Sequence, residues 1–225
     1  MSRKSESRAE TAKLARLLGV SDPQALAFLE KAPAAELREY REAITDLLYD
    51  DDQELLQRAA DAVRLLPART LAAIGESALG PLICARLTGL LEPSRAVEIS
   101  NHFSIYFLAQ LAAELDPRRA VAVVTAIATD TVVAVCAVMA TSGEHVAMGR
   151  FVAHLDDHTL GLCVGALSDE DLLRVAFVTE GEERLSSIFE TVGAERAARI
   201  VEAAKRNGLA EEAKHVTERL AVGKP

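Results

Sequence analysis

The chain contains no tryptophan, and its aromatic residues are limited to six phenylalanines and three tyrosines in 225 positions. Few of its segments alternate β-branched or aromatic residues with polar ones, the pattern from which half-buried strands are built. No strand is therefore expected. Three cysteines, Cys84, Cys136 and Cys163, stand apart in apolar contexts without metal-type spacing. They read as small buried hydrophobes in a reducing compartment. No Gly-rich phosphate loop and no nucleophile-elbow pentapeptide occurs, and Ser100, Ser104 and Cys163 have no identifiable base and orienter. Paired carboxylates fall only in turns, so the chain is not expected to be an enzyme or to carry a cofactor. A basic excess is missing too. The formal charge is −9 and the pI about 5.1, which argues against a general nucleic-acid binder, whose affinity rests on neutralising phosphates. The charged N-terminus has no apolar run behind it, unlike a signal peptide. The longest low-charge stretch, residues 120–143, contains Asp130 and many Ala and Thr residues, too polar for a membrane-spanning helix. A soluble cytoplasmic protein without membrane insertion is the expectation.

What the chain does have is Ala, Leu and Val, and a repeat. Leu91-Glu92-Pro93-Ser94-Arg95-Ala96-Val97 is answered by Leu115-Asp116-Pro117-Arg118-Arg119-Ala120-Val121. Related phrases centre on Arg69, His145, Asp171 and Arg196, giving spacings of 26, 24, 26, 26 and 25 residues between positions 69, 95, 119, 145, 171 and 196. A sustained period of this size marks stacked supersecondary units. Prolines behind an acid or a capping residue start helices, and Gly19 is placed to end one. The expected fold is all-α, a superhelical stack of short helix pairs with no β-sheet. Residues 1–7 are expected to be disordered. Residues 8–66 should form N-terminal helices packed on the array, and residues 67–222 the repeats, continuous with those helices as one domain. Turns within the pairs are expected near Gly80-Pro81, Asn101–Ser104, Thr129-Asp130, Asp156-Asp157, Glu180–Glu182 and Asn207-Gly208. Asp50-Asp51-Asp52 reads as a helix-capping turn, and Gly223-Lys224-Pro225 as a loose tail.

The phrase acid-Pro-x-Arg-Ala-Val, carried by Glu92–Val97 and Asp116–Val121 with Leu115 and Leu167 closing the preceding units, resembles the intracellular N-terminal domain of the magnesium transporter MgtE. It is also similar to repeats of the flagellar motor switch protein FliG. The resemblance spans roughly residues 65 to 205. It implies a right-handed superhelix acting as a regulatory, non-enzymatic module. The chain has no cystathionine-β-synthase-type pair and no channel, so transport is not implied.

Equivalent positions of a stacked repeat form a row, so Arg69, Arg95, Arg119 and His145 are candidate partner-binding residues. Cations in the first turn of a helix oppose its dipole, and local helix stability does not explain them. An anionic groove ligand would; so would inter-repeat ion pairs with Glu92, Asp116 and Glu144. The knot Asn101–Phe107 offers His102, Phe103 and Tyr106 as the floor of an apolar pocket or as a core plug. His154, Asp157 and His158 are weak metal candidates, because histidines at i and i+4 share a face only on a continuous helix; the Asp pair reads better as a turn and N-cap.

These features point to a binding or regulatory scaffold acting through its concave surface, or to a carrier or sensor of a small apolar ligand enclosed by the central repeats. A protein partner or an apolar ligand is the expected partner, and a homodimer the expected assembly. The reason is that residues 120–143 spread Val, Ile and Met around more than one helical face. Something must cover such a face: the N-terminal helices, a second subunit or a ligand.

Overall fold

The computed structural model describes residues 3–50, 53–63, 66–206 and 208–222. In chain order its α-helices are α1 (Arg3–Leu17), α2 (Ala34–Asp50), α3 (Gln53–Val63), α4 (Ala68–Ile74), α5 (Gly80–Thr88), α6 (Pro93–Ser100), α7 (Ile105–Glu114), α8 (Val121–Val124), α9 (Thr129–Thr141), α10 (His145–Phe151), α11 (Asp157–Ala166), α12 (Asp169–Val178), α13 (Glu182–Val192), α14 (Ala194–Arg206) and α15 (Ala210–Val222). No strand occurs among the described residues, and the fold is all-α. The expected joints at residues 101–104, 129–130, 156–157 and 180–182 all fall between helices or at a helix start. Asp51 and Asp52 of the expected capping turn, Asn207 of the last turn, and the Gly223-Lys224-Pro225 tail lie outside the described residues.

The chain divides into two compact units, Met1–Leu48 with Leu167–Pro225, and Tyr49–Ala166. The division differs from the one read off the sequence. Helix α3 joins the repeats that follow it, and α1 and α2 join α12 to α15 instead of forming a group with α3.

In the unit from Tyr49 to Ala166, neighbours two helices apart pack together. The series α3, α5, α7, α9, α11 forms one run of contacts, and α4, α6, α8 another. The joints are small and apolar. Cys84 and Ala85 of α5 meet Phe107 and Leu111 of α7, with Leu115 and Ala120 beyond, and Ala68 and Ala72 of α4 meet Ile99 of α6. Between α4 and α5 the helix widens into a π segment, Gly75–Leu79, and then turns sharply at Gly80 (φ 76°, ψ 171°). Gly75 is required there by contact: a Cβ would lie 2.9 Å from Phe103 Cε1 and 3.1 Å from Cys84 Sγ. Ala68–Thr88, taken as one helical run, is by length and composition apolar enough to cross a membrane, with 28% of its most apolar window buried in the protein.

The unit joining Met1–Leu48 to Leu167–Pro225 is built around α12. Leu172, Leu173, Val175, Ala176, Phe177 and Val178 are all buried, and α1, α14 and α15 cover them. Helix α1 is polar in sequence yet sits inside this packing. It begins at Arg3, so residues 3–7 are helical and not disordered as expected; Met1 and Ser2 lie outside the described residues. Ser7 is 2% exposed and its hydroxyl donates to Ala32 O at 2.7 Å. Tertiary partners of this kind are what hold a polar segment that would fray in isolation. The helix ends where Gly19 (φ 67°) supplies a left-handed residue, Gly19 N donating to Arg16 O and Val20 N to Ala15 O, the double bond of a Schellman cap. On α2 Leu37 is buried, whereas Tyr40, Leu47 and Leu48 are exposed.

Candidate functional site

The repeated phrase places its arginine at the third residue of a helix, and the structure shows where two of these side chains go. Arg95, third in α6, donates through Nη2 to Leu66 O and to Val63 O, the latter at 3.4 Å. Arg196, third in α14, donates to Leu167 O at 2.6 Å and to Asp169 Oδ1 at 2.8 Å. In both cases the acceptor leucine lies 29 residues upstream, just before the N-cap of the preceding phrase. The charge that opposes its own helix dipole is thus compensated by main-chain carbonyls of the preceding repeat, where charge-assisted bonds are stronger than neutral ones.

The remaining positions of the row vary this theme. Arg119 packs against the end of α5, where a Cβ on Gly89 would meet Arg119 Cβ at 3.5 Å. Asp171 closes a capping pair with Ser168: Asp171 N donates to Ser168 Oγ at 3.1 Å, and the Ser168 hydroxyl donates to Asp171 Oδ2 at 2.5 Å. His145 opens α10 half-buried, and Arg69 is exposed. Arg95 and Arg196 are therefore turned into the repeat junctions, and a continuous strip of free arginines does not form.

Asp116, the acid before Pro117, is the most buried charge of this junction at 1% exposure. Its side chain caps Arg118 N, and its oxygens accept from Arg118 Nε at 3.2 Å and Nη2 at 2.9 Å, with Arg150 Nη2 at 3.4 Å. Burial pushes its pKa up, but the hydrogen bonds and charges of Arg118 and Arg150 outweigh that and hold the carboxyl below its usual range. A second buried charge group was not visible in the sequence. Lys13 Nζ lies 2.9 Å from both Glu10 and Glu180, and Arg41 lies 3.3 Å from Glu10 and 2.9 Å from Glu180. The side chains of Glu10 and Lys13 are each 3% exposed. Burial pushes Glu180 up, and Lys13, Arg41 and Arg38 bring it down to about 2. Two of the N-terminal cations are thereby paired within this unit: Lys13 in the charge group, and Arg8, which pairs with Glu212 at 2.9 Å and lies over the Phe177 ring.

The aromatic knot splits. Phe103 and Phe107 stack with centroids 4.7 Å apart and fill the core against Gly75 and Cys84, whereas His102 and Tyr106 are exposed. Phe103 is a plug, and these three residues do not floor one pocket. Ser104 caps α7, its hydroxyl accepting from Phe107 N at 3.2 Å while Glu76 accepts from Ser104 N at 2.7 Å. Ser100 donates to Val97 O.

Among the histidine–aspartate cluster, Asp156 is the N-cap of α11, accepting from Thr159 N at 2.9 Å and the Thr159 hydroxyl at 2.7 Å. Those bonds lower its pKa. His154 lies on a 3-10 turn and Asp157 and His158 open α11, so the two histidines do not share one continuous helix. No group of three potential metal-ligating side chains gathers among the described residues.

All three cysteines read in the sequence as small buried hydrophobes; Cys84 and Cys163 are buried, and Cys136 is only partly so. Cys136 and Cys163 are 27 residues apart, about one repeat, on α9 and α11, which pack together, and hydrogen bonding from the Cys136 side chain lowers the Cys163 pKa against the effect of burial. The spacing was the available signal. No family model, no curated protein and no solved structure matches the chain.

Proposed function

We propose that the protein is a non-enzymatic helical-repeat scaffold of the cytoplasm, a superhelical binding and regulatory module similar to the MgtE intracellular domain, which presents its concave surface to a protein partner. The observation that carries this reading is the recurrent arginine bond: two repeats far apart in sequence make the same contact to a leucine carbonyl 29 residues upstream. A contact repeated in register is what a stacked array requires, and stacked arrays offer extended surfaces for partners. The hydroxyls of Ser100 and Ser104 are committed to the backbone, in keeping with a structural role.

The scaffold acts as a homodimer, without nucleic acid and without insertion in a membrane. Support for the dimer comes from α9: residues 131–138 are all partly exposed, on every side of the helix, although α7, α10 and α11 pack against it. Apolar surface left open in this way favours association, and a two-fold dimer is the usual solution. Native mass spectrometry of freshly purified protein tests both statements. Twice the 24.1 kDa chain mass with nothing bound is expected, reverting to one chain mass in Val133→Glu. A co-purifying apolar molecule would replace the scaffold with a carrier, and a wild-type monomer would remove the dimer.

A further inference from the structure

Helix α2 turns one row of residues into its unit. Leu37, Arg41 and Thr45 stand four residues apart; Leu37 and Thr45 are buried, and Arg41 is drawn to Glu10 at 3.3 Å and Glu180 at 2.9 Å. Tyr40, Ala43, Ile44, Leu47 and Leu48 follow the spacing i, i+3, i+4, i+7 and i+8, which gathers them on one stripe of a helix. That stripe looks outward. Tyr40 is 65% and Leu47 68% exposed, Ala43 and Leu48 are exposed, and Ile44 is half-buried. Single exposed hydrophobes are ordinary on a protein surface, whereas a contiguous apolar stripe marks a contact.

The charges beside the stripe are of one sign. Glu39, Glu42 and Asp46 repeat at i, i+3 and i+7 and form a row along it, and Glu36 lies one turn before Tyr40. Glu36, Glu39 and Asp46 are exposed. The two cations of α2 are turned the other way, Arg38 and Arg41 each reaching Glu10 at 3.3 Å. An apolar stripe bordered by carboxylates complements a helix whose own apolar stripe is bordered by lysine or arginine. It repels anionic lipid headgroups and nucleic acid, and a second copy would bring the same carboxylates against these.

We propose that the outer face of α2 is a docking surface for a basic amphipathic helix of another protein. The partner lays its apolar residues on Tyr40, Ile44 and Leu47, and its cations meet Glu36, Glu39 and Asp46. The stripe from Tyr40 to Leu48 is about 12 Å long at ~1.5 Å per residue. A contact of this length buries less than the roughly 1,200 Å² at which standard interfaces begin, so the complex is transient and weakened by salt. The surface belongs to the unit built from both ends of the chain and does not rest on a concave face of the repeats.

The probe is a fluorescent synthetic peptide of about five helical turns, with leucines on one face and lysines on the rest, titrated with the full-length chain and followed by anisotropy. A version with glutamate in place of lysine is the comparison, and should bind more weakly. Affinity for the lysine peptide should fall at least about ten-fold in Tyr40→Ser with Leu47→Ser, and by a similar factor in Glu36→Lys with Glu39→Lys. Glu195→Lys with Glu202→Lys, the same charge change on α14, should alter it less than about two-fold. No binding, unchanged binding in the α2 variants, or an equal fall in the α14 variant overturns the proposal. So does a lower thermal midpoint or a lower molar mass in Tyr40→Ser with Leu47→Ser, because the stripe would then be covered by the chain itself or by a second copy.

Discussion

Helices α9 and α12 are both apolar on most of their circumference, and the two units treat them differently. In the unit built from both ends of the chain, α12 is enclosed by α1, α14 and α15, and its last seven residues include six that are buried side chains. In the central unit α9 is flanked but not enclosed, and only Met139 and Ala140 are buried. The covering of α12 comes with charge attached. Helix α1 carries Glu10 and Lys13 into the interior, where Arg41 and Glu180 complete the group, and α15 carries His215 and Arg219. The central unit has Asp116 at a junction but otherwise packs small apolar residues. One unit therefore depends on paired buried charges from segments distant in sequence, and the other on neighbour-to-neighbour apolar contact. Their stabilities should respond to different perturbations.

The largest separation of the two comes from Lys13→Met. Removing Lys13 leaves the buried Glu10 with only its longer contacts to Arg38 and Arg41 at 3.3 Å, and breaking a buried ion pair costs at most about 3–5 kcal/mol. Hydrogen exchange should accelerate in α1, α2 and α12, with the amides of α5 and α7 little changed. Equal acceleration in both units would show that they do not differ as described. The group holds Glu180 at about 2, so its carboxylate contribution, present above the unfolded pKa near 4.5, is lost only as pH falls toward about 2.

A milder pH range probes α15. Burial, and then the charge of Arg219, lower His215 from 6.5 to about 4, and its ring stands edge-on to Phe177 at 5.3 Å. Above pH 6.5 the imidazole is neutral in both states and no penalty arises. Below it the unfolded chain takes up a proton that the fold refuses, so stability falls with decreasing pH until the folded pKa is reached. The total is about 3 kcal/mol between pH 6.5 and 4. Urea unfolding monitored at pH 7, 5 and 4 should show this slope in wild type and a smaller one in His215→Leu. A His215 resonance that titrates near 6.5 in the native protein would contradict the burial argument.

The smallest effect is expected in the central unit, from Gly75→Ala. The new Cβ would meet the Phe103 ring at 2.9 Å, and overpacking of this kind costs about 1–3 kcal/mol. Because the clash is with a side chain, Phe103→Leu in the same chain should recover part of the loss. A double-mutant cycle with no coupling between the two positions would place the strain elsewhere.

Much of this architecture was legible in the sequence. Proline behind an acid, serine before an acidic turn and glycine after an apolar run placed most joints, because caps are local: Ser168 with Asp171, Asp156 with Thr159, and Gly19 after Leu18 each act within a few residues. The candidate residues were less legible. Arg95 and Arg196 stood out by period, but period alone does not distinguish a side chain turned outward from one turned to the carbonyl of a preceding repeat. The α1 charges gave no signal at all, since their partners Arg41 and Glu180 are distant in the chain.

By itself, then, the sequence determined that the protein is helical, where most helices begin and end, and that a helix-start phrase recurs about every 25 residues, because propensity and capping depend on neighbours in the chain. Only the tertiary structure decided which unit each helix joins, which arginines are bound by carbonyls, and that Lys13 and His215 are buried. Those outcomes depend on desolvation and on partners supplied by distant segments, and a buried charge is tolerated only where such partners arrive.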